Sequence, residues 1–372
     1  MSARILAALA SFALLGCAHA PAPAPGETAV ALEEVAAVET QLTGVAVSQA
    51  SGRVFINFPR WVDVPHPSVA EVWADKRVLP FPNEEWNAWD GTPQTAGDHF
   101  VCVQAVFVDG KDQLWIVDPA SPGFAGVVPG GAKLLQVDLA SGKVVRVYPL
   151  DATAAPQQSY LNDVRIDLPR RRAYLTDSGL GGILVLDLAS GTARRRLERT
   201  AAVKAEPGLT VTVEGKPWVG EDGKSPAIGS DGLALDAEGR FLYFHALTGQ
   251  TLYRVPAASL ADDSLTDEAL AAKVEKAGAS APADGLAEDA RGNLFLTDLT
   301  HGAVRMRRPD GTVTTVVQDP KLSWPDSLAF DSNGRLYITA SQIHRMPAFN
   351  GGVDQRVRPF RLWRTTRALL PR

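Results

Sequence analysis

The chain has 372 residues, 45% hydrophobic and 21% charged, which is enough to form a large core. A formal net charge of -5 gives no reason to expect nucleic-acid binding, and no apolar run of about 18 residues follows the N-terminal region. The 32 glycines and 26 prolines are typical of a β protein with many turns.

The N-terminus has the pattern of an export signal. Arg4 precedes an apolar stretch, residues 5–15, of the length expected for a signal-peptide core. The sequence Leu14-Leu15-Gly16-Cys17 resembles a bacterial lipobox, in which Cys17 carries the lipid. Ala18-His19-Ala20 offers an ordinary cleavage site as the alternative.

These features predict three parts of the chain. Residues 1–17 are a lipoprotein-type signal peptide, residues 18–32 are a tether rich in Pro and Ala, and residues 33–372 form one domain. We therefore expect an exported monomer in the periplasm or cell envelope that contacts the membrane only through its lipid. A soluble secreted protein is the alternative.

Six copies of one pattern follow. Each begins with a polar residue and a short apolar strand, which in most copies ends in Asp, and a turn leads to a second strand with an aromatic residue. These aromatic residues are Phe55, Trp115, Tyr174, Tyr243, Phe295 and Tyr337. Several copies add a third and a fourth strand. Six copies of four strands predict an all-β fold, a six-bladed β-propeller around a central channel.

Three segments fall outside the simple repeat. Residues 33–39 are expected to complete the last blade beside the late strand 360–364, which would join the two ends of the chain. Residues 59–99 contain four Trp and many Pro, and predict a long irregular loop over one face of the ring. Residues 257–276 predict a helical excursion.

The aligned polar positions should form a ring at one mouth of the channel, because the first strand of each propeller blade lines the axis. The ring members are Thr43, Gln104, Asn162, Asp231, Asp284 and Asp326, with Asp163 beside Asn162. Converging carboxylates need a cation or raised pKa values. Oxygen groups without His or Cys suit Ca²⁺ or Mg²⁺, and an organic ammonium serves equally well. Alternatively, each Asp caps its own turn.

Other polar residues have simpler interpretations. The Asp that ends each first strand is expected to cap the following turn, and Cys102, within an apolar run, is expected to be a buried thiol. His245 and His301 lie near blade ends and could reach a pocket. No Ser-His-Asp order, nucleotide-binding glycine run or zinc pattern is present, so no nucleotide, flavin or heme is implied.

The chain resembles the major royal jelly protein/Yellow family. The stretches that carry the resemblance are Phe55-Ile56-Asn57-Phe58-Pro59-Arg60-Trp61, Leu114-Trp115-Ile116-Val117-Asp118, Trp324-Pro325-Asp326-Ser327-Leu328, and residues 159–164, 173–179 and 342–345. The resemblance implies a secreted six-bladed propeller that binds small amines at its mouth. The residues expected to contact such a ligand are Gln104, Asn162, Asp163, Asp231, Asp284, Asp326 and His245.

A more distant similarity is to the SMP-30/gluconolactonase group of metal-dependent lactonases. Leu161-Asn162-Asp163, Ser230-Asp231-Gly232 and Ala283-Asp284-Gly285 resemble that group's metal-site motifs. This resemblance implies Ca²⁺ at Asn162, Asp231 and Asp284, although Thr43-Gly44 stands where the group has a Glu. Three functions therefore stay open: a propeller that binds a cationic or aromatic small molecule or a cation, a metal-dependent lactonase, and a non-catalytic envelope scaffold.

Overall fold

The structure, a computed structural model, describes residues 30–62 and 67–370. Six four-stranded sheets are arranged as blades, and neighbouring strands within each sheet run antiparallel. The predicted six-bladed β-propeller is confirmed. The expected signal peptide, Cys17 and almost all of the tether lie outside the described residues.

Five blades are continuous in sequence. Blade one contains Val45–Val47, Val54–Asn57, Val69–Val72 and Val78–Pro80, and blade two contains Ala105–Val108, Gln113–Asp118, Lys133–Asp138 and Lys143–Pro149. Blade three contains Leu161–Asp167, Arg172–Asp177, Ile183–Asp187 and Ala193–Arg196. Blade four contains Ser230–Leu235, Phe241–Ala246, Thr251–Pro256 and Glu275–Ala279, and blade five contains Leu286–Glu288, Leu294–Asp298, Ala303–Arg307 and Val313–Gln318.

Blade six joins the two ends of the described chain. It contains Pro325–Phe330, Leu336–Ala340 and Phe360–Thr365, and its outermost strand is Leu32–Val38. An ion pair also crosses this seam, because Arg364 Nε donates to Glu33 Oε1 over 2.7 Å. The closure predicted from the sequence is confirmed, and it covers an edge that would otherwise expose unpaired backbone groups.

The core lies between the blades. The aromatic residue of the second strand is fully buried in blades three and five, where Tyr174 and Phe295 are 0% exposed. Between blades six and one, Val45 and Ile56 pack with Tyr337 and Phe360. Successive side chains of a strand point to opposite faces of the sheet. Because each blade is enclosed between two neighbouring blades, apolar side chains are buried on both faces.

The strand-end Asp residues cap their turns as expected. Asp109 Oδ1 accepts from the backbone N–H of Lys111 and of Gln113, and Asp289 Oδ1 accepts from those of Arg291 and Asn293. Cys102 is completely buried, and burial raises the pKa of its thiol to about 12. Both observations agree with structural roles.

Two insertions differ from the sequence-based expectation. The segment 59–99 is not irregular throughout, because Val69–Val72 and Val78–Pro80 form the outer half of blade one. Short strands interrupted by proline and turn residues carry too little periodicity to be recognised. Trp73 lies in the turn between these strands, at the end of the blade away from the ring, and is 47% exposed.

The helical excursion is present but shorter than expected. It contains Ala257–Leu260 and Asp267–Ala271, and Thr266 caps the second helix by accepting from Ala269 N over 3.2 Å. The chain then returns to blade four. A small hairpin, Thr212–Val213 paired with Lys216–Pro217, was not expected. Among the described residues, no helix is long and apolar enough to cross a membrane.

Candidate functional site

Hydrogen bonds between blades hold the polar ring together. The Thr176 hydroxyl donates to the carbonyl of Asp231 over 2.5 Å, and the Thr339 hydroxyl donates to that of Thr43 over 2.6 Å. In blade one the Asn57 amide makes the corresponding bond to the carbonyl of Gln104, over 3.0 Å. In blades one, three and six, the second strand thus bonds to the start of the next blade's first strand, which fixes the spacing between these blades at the channel.

Glycine after the ring residue permits this close packing. A Cβ at Gly232 would lie 2.2 Å from the carbonyl oxygen of Asp284, and one at Gly285 would lie 2.1 Å from that of Asp326. Contacts of this length with backbone atoms do not occur between real atoms, so a side chain there would push two blades apart. Close packing between blades therefore explains the glycine in each Asp-Gly pair, independently of the resemblance to metal-site motifs.

Three carboxyl groups of the ring come together. Asp231, Asp284 and Asp326 are 2%, 6% and 4% exposed. Burial, followed by the charges of Asp284 and Asp163, raises the pKa of Asp231 well above its usual value, and a hydrogen bond joins its side chain to that of Asp284. Burial also raises the pKa of Asp284 to about 7. Both shifts favour the protonated form of these carboxyl groups, because burial and neighbouring negative charges make three free carboxylates unfavourable.

Asp326 is the third carboxyl group of this cluster. The Ser327 hydroxyl donates to its Oδ1 over 3.2 Å, but its Oδ2 is buried without a hydrogen-bond partner among the described residues. Burial and the neighbouring Asp284 raise the pKa of Asp326 well above its usual value, although the hydroxyl groups of Ser341 and Ser327 act in the opposite direction. A buried oxygen without a hydrogen bond is costly, so a donor that reaches this atom would be stabilising.

A cavity of about 230 Å³ in the central channel adjoins the cluster. Asp163, Gly285 and Ser327, each one residue beyond a ring position, line its ring end. Arg165 and Glu288 line it further along the channel, and the Arg165 guanidinium lies 4.9 Å from the Phe107 ring centroid. The channel is therefore acidic at the ring and has a fixed positive charge further along.

The other predicted ring members have partners within the fold. Thr43 donates to the Gln104 carbonyl over 3.1 Å, and Gln104 Oε1 accepts from the Tyr160 hydroxyl over 2.9 Å. The amide of Asn162 reaches only the Ser178 hydroxyl, at 3.4 Å. The ring is therefore asymmetric in charge. Blades four, five and six contribute the carboxyl groups, whereas blades one, two and three contribute neutral side chains.

Both candidate histidines have partners other than the three carboxyl groups. His245 occupies the second-strand position at which blades three, five and six have Thr, and its Nε2 lies within hydrogen-bond distance of the Ser280 hydroxyl, at 2.5 Å. Burial lowers its pKa to about 4, so it is neutral near pH 7. His301 pairs with Asp298, with 2.8 Å between Nδ1 and Oδ2, and is half exposed.

The sequence analysis did not predict two hydrogen bonds that tryptophan side chains make at the ring. The indole N–H of Trp324 donates to Asp284 Oδ2 over 2.7 Å, and the indole N–H of Trp61 donates to the Tyr160 hydroxyl over 2.5 Å. Only Trp61 belongs to the Trp-rich segment. Trp324 lies two residues before Asp326, so the motif Trp324-Pro325-Asp326 already placed this indole near the ring. A repeat alignment cannot show that the indole donates to a residue of a different blade.

The fit of a metal ion is limited. In residues 30–62 and 67–370, no group of three or more His, Cys, Asp or Glu side chains is arranged to hold one. Asp284 already accepts from Trp324 and shares a hydrogen bond with Asp231, so their lone pairs are partly occupied. The oxygen-only set has the right chemistry for Ca²⁺ but not an open six-to-eight-oxygen shell. A small ammonium group, which needs fewer acceptors, fits better.

Comparisons with known proteins agree with this architecture. A gluconolactonase structure from Xanthomonas campestris is 15% identical, with a TM-score of 0.53 over 90% of this chain and 88% of that one. A streptogramin B lyase structure is 11% identical, with a TM-score of 0.52 over 90% and 97% of the two chains. These identities show the fold alone.

The family assignment comes from the sequence. A search of curated proteins finds no match. A family model described as major royal jelly protein matches residues 101–372, which is well over half of the chain and includes five of the six ring residues. The chain belongs to the major royal jelly protein family.

Proposed function

We propose that this propeller binds a small molecule through an ammonium group at the cluster of Asp231, Asp284 and Asp326. The observation that carries the proposal is the buried Oδ2 of Asp326, which has no hydrogen-bond partner among the described residues and lies in the same cluster as the hydrogen-bonded carboxyl groups of Asp231 and Asp284. An ammonium group would donate to this oxygen and replace the protons that now hold the cluster together.

The channel supports a preferred orientation of the ligand. Asp163 adds a fourth carboxyl at the ring end of the cavity, whereas Arg165 supplies positive charge further along. A cation would therefore lie at the ring, and an uncharged or aromatic remainder would extend among the apolar residues of the channel, such as Val106 and Leu286. We assign no reaction to the site.

Calorimetric titration tests the proposal. Ethylammonium and benzylamine are compared with ethanol and benzyl alcohol, which lack the charge, and with Ca²⁺. The amines are expected to bind and the alcohols are not, and Asp326→Asn should weaken amine binding about tenfold or more, since a charged hydrogen bond contributes about 1.5–3 kcal/mol. Asp98→Asn, at an exposed site outside the channel, is the matched control.

Three outcomes separate the alternatives. Equal affinity of the wild type and Asp326→Asn for amines would contradict the proposed site. Tight Ca²⁺ binding with Ca²⁺-dependent lactone hydrolysis would replace the proposal by the lactonase function, in which the metal polarises a carbonyl. Absence of binding to both cation classes would favour the scaffold. Export, the lipid on Cys17, the periplasmic or envelope location and the monomeric state remain predictions.

A further inference from the structure

A second cavity lies outside the carboxyl cluster, beside the small hairpin. The turn of the hairpin, Glu214-Gly215, has positive φ angles of 51° and 77° and projects towards the blade-six segment 342–355. A cavity of about 260 Å³ separates the two segments. Trp218 and Phe349 line the cavity, together with the charged or polar residues Glu214, Lys216, His344 and Arg345.

The negative charge at this cavity is already neutralised. Arg345 Nη2 donates to Glu214 Oε2 over 2.7 Å, and the Ser323 hydroxyl donates to Oε1 over 2.6 Å. His344 Nε2 lies 3.2 Å from Glu214 Oε2. These groups, His344 first, hold the pKa of Glu214 well below its usual range, so this carboxylate stays charged and paired.

The positive charge that remains is that of Lys216. It is exposed at the cavity, and its ammonium group has no hydrogen bond or ion pair with another described residue. Since Glu214 and Arg345 neutralise each other, the cavity as a whole attracts an anion.

Buried ring nitrogens of two cavity-lining residues lack hydrogen-bond partners among the described residues. Trp218 is 4% exposed, and its indole N–H has no acceptor among the described residues. Its ring packs edge-on against Trp324 and Phe349, with centroids 4.8 Å and 5.0 Å away. Nδ1 of His344, a ring that stacks on Trp324 at 5.8 Å, is also unpartnered. Indole can only donate, so the Trp218 N–H remains available to an acceptor atom.

We propose that this cavity is a binding site for a small planar carboxylate with a single ring. The ring would pack among Trp218 and Phe349, and the carboxylate would accept from the Trp218 N–H and pair with Lys216. The volume, about 260 Å³, admits one ring but not a larger ligand. The site is distinct from the carboxyl cluster and has the opposite charge preference, so it goes beyond the function proposed above.

Calorimetric titration with benzoate is the test, with benzyl alcohol as the uncharged counterpart. Benzoate is expected to bind with a Kd of about 1 mM or tighter. Trp218→Phe keeps the aromatic wall but removes the N–H, and should weaken binding about fivefold. Lys216→Met should weaken it about threefold, as an exposed ion pair would. Lys224→Met, which makes the same charge change outside the cavity, is the control and should leave binding unchanged.

The proposal fails if benzyl alcohol binds as tightly as benzoate, or if neither Trp218→Phe nor Lys216→Met weakens the binding. It also fails if crystals soaked in benzoate contain only water at the Trp218 N–H. Near-ultraviolet circular dichroism establishes whether Trp218→Phe is folded. Lys216→Met alters an exposed side chain and carries the test by itself if the Trp218 variant does not fold.

Discussion

The indole N–H of Trp324 donates a 2.7 Å hydrogen bond to Asp284 Oδ2 across the boundary between blades five and six. Both residues are buried, at 1% and 6% exposure, so water does not compete for the bond. On its other side Trp324 packs against Trp218 and stacks on His344. One side chain therefore contacts Asp284 of the acidic cluster and two residues that line the hairpin cavity.

Replacement of the Trp324 indole should lower the stability of the protein. Trp324→Phe leaves Asp284 without its buried donor and leaves a void between the blades. We expect the free energy of unfolding to fall by about 2–4 kcal/mol. Urea unfolding measures it, and Trp73→Phe at the exposed blade-one turn should change it by less than about 0.5 kcal/mol. Equal effects of the two substitutions would contradict the role given to Trp324.

The ring should not tolerate a side chain at Gly285. An added Cβ would lie 2.1 Å from the Asp326 carbonyl oxygen, so Gly285→Ala must separate blades five and six. The expected loss of stability is about 1–3 kcal/mol, the usual cost of overpacking. Gly110→Ala is the control, because its nearest neighbour is a flexible Leu168 side chain at 3.9 Å. Thermal unfolding measures the stability of both variants, and an equal loss in Gly285→Ala and Gly110→Ala would contradict the prediction.

Glu288 should make stability depend on pH. Burial, together with the charges of Asp236, Asp289 and Glu238, raises its pKa to about 8, and its Oε2 has no partner among the described residues. The folded state thus retains a proton that the unfolded state releases. This contribution to stability is present below the unfolded pKa of about 4.5 and is lost as the pH rises through about 8.

Glu288→Gln should therefore raise the melting temperature at high pH. The difference from the wild type is expected to be small at about pH 5 and to increase up to about pH 9, because the variant has no proton to lose. Arg165, which lines the same channel, is unchanged in both proteins. Exposed Glu39→Gln is the control. A constant difference across this pH range would show that Glu288 is already ionised in the folded protein.

The N-terminal strand should be needed for a closed ring. A chain that begins at residue 39 lacks Leu32–Val38, which leaves the edge of Phe360–Thr365 unpaired. We expect it to lose cooperative unfolding or to associate through the open edge. Size-exclusion chromatography and urea unfolding would detect either result. A chain that begins at residue 30 keeps the strand and should behave like the full-length protein.

The fold was predictable because its signals are local. Each blade repeats short apolar strands, an aromatic residue and an Asp that caps a turn, and these depend on neighbouring residues only. The outer half of blade one was not recognised, because Val69–Val72 and Val78–Pro80 are short and surrounded by turn residues. A helical excursion over residues 257–276 was expected, and the structure adds that Thr266 caps its second helix.

The candidate site was predictable only in part. Alignment placed Asp231, Asp284 and Asp326 on one ring, but it gave Gln104 and Asn162 the same weight. In the structure the carboxyls share one side, whereas Gln104 is bonded to Tyr160 and Asn162 to Ser178. A repeat alignment specifies equivalent positions, but it does not specify which side-chain atoms their neighbours already satisfy.

By itself, the sequence determined the β-propeller, the number of blades, the closure between the chain ends and the members of the ring, because strand periodicity and turn chemistry act over a few residues. The tertiary structure decided that Trp324 reaches Asp284 and that Glu214 meets Arg345, 131 residues away. Such contacts depend on how blades and loops pack against one another, so burial and charge at both candidate sites are set only once the ring is closed.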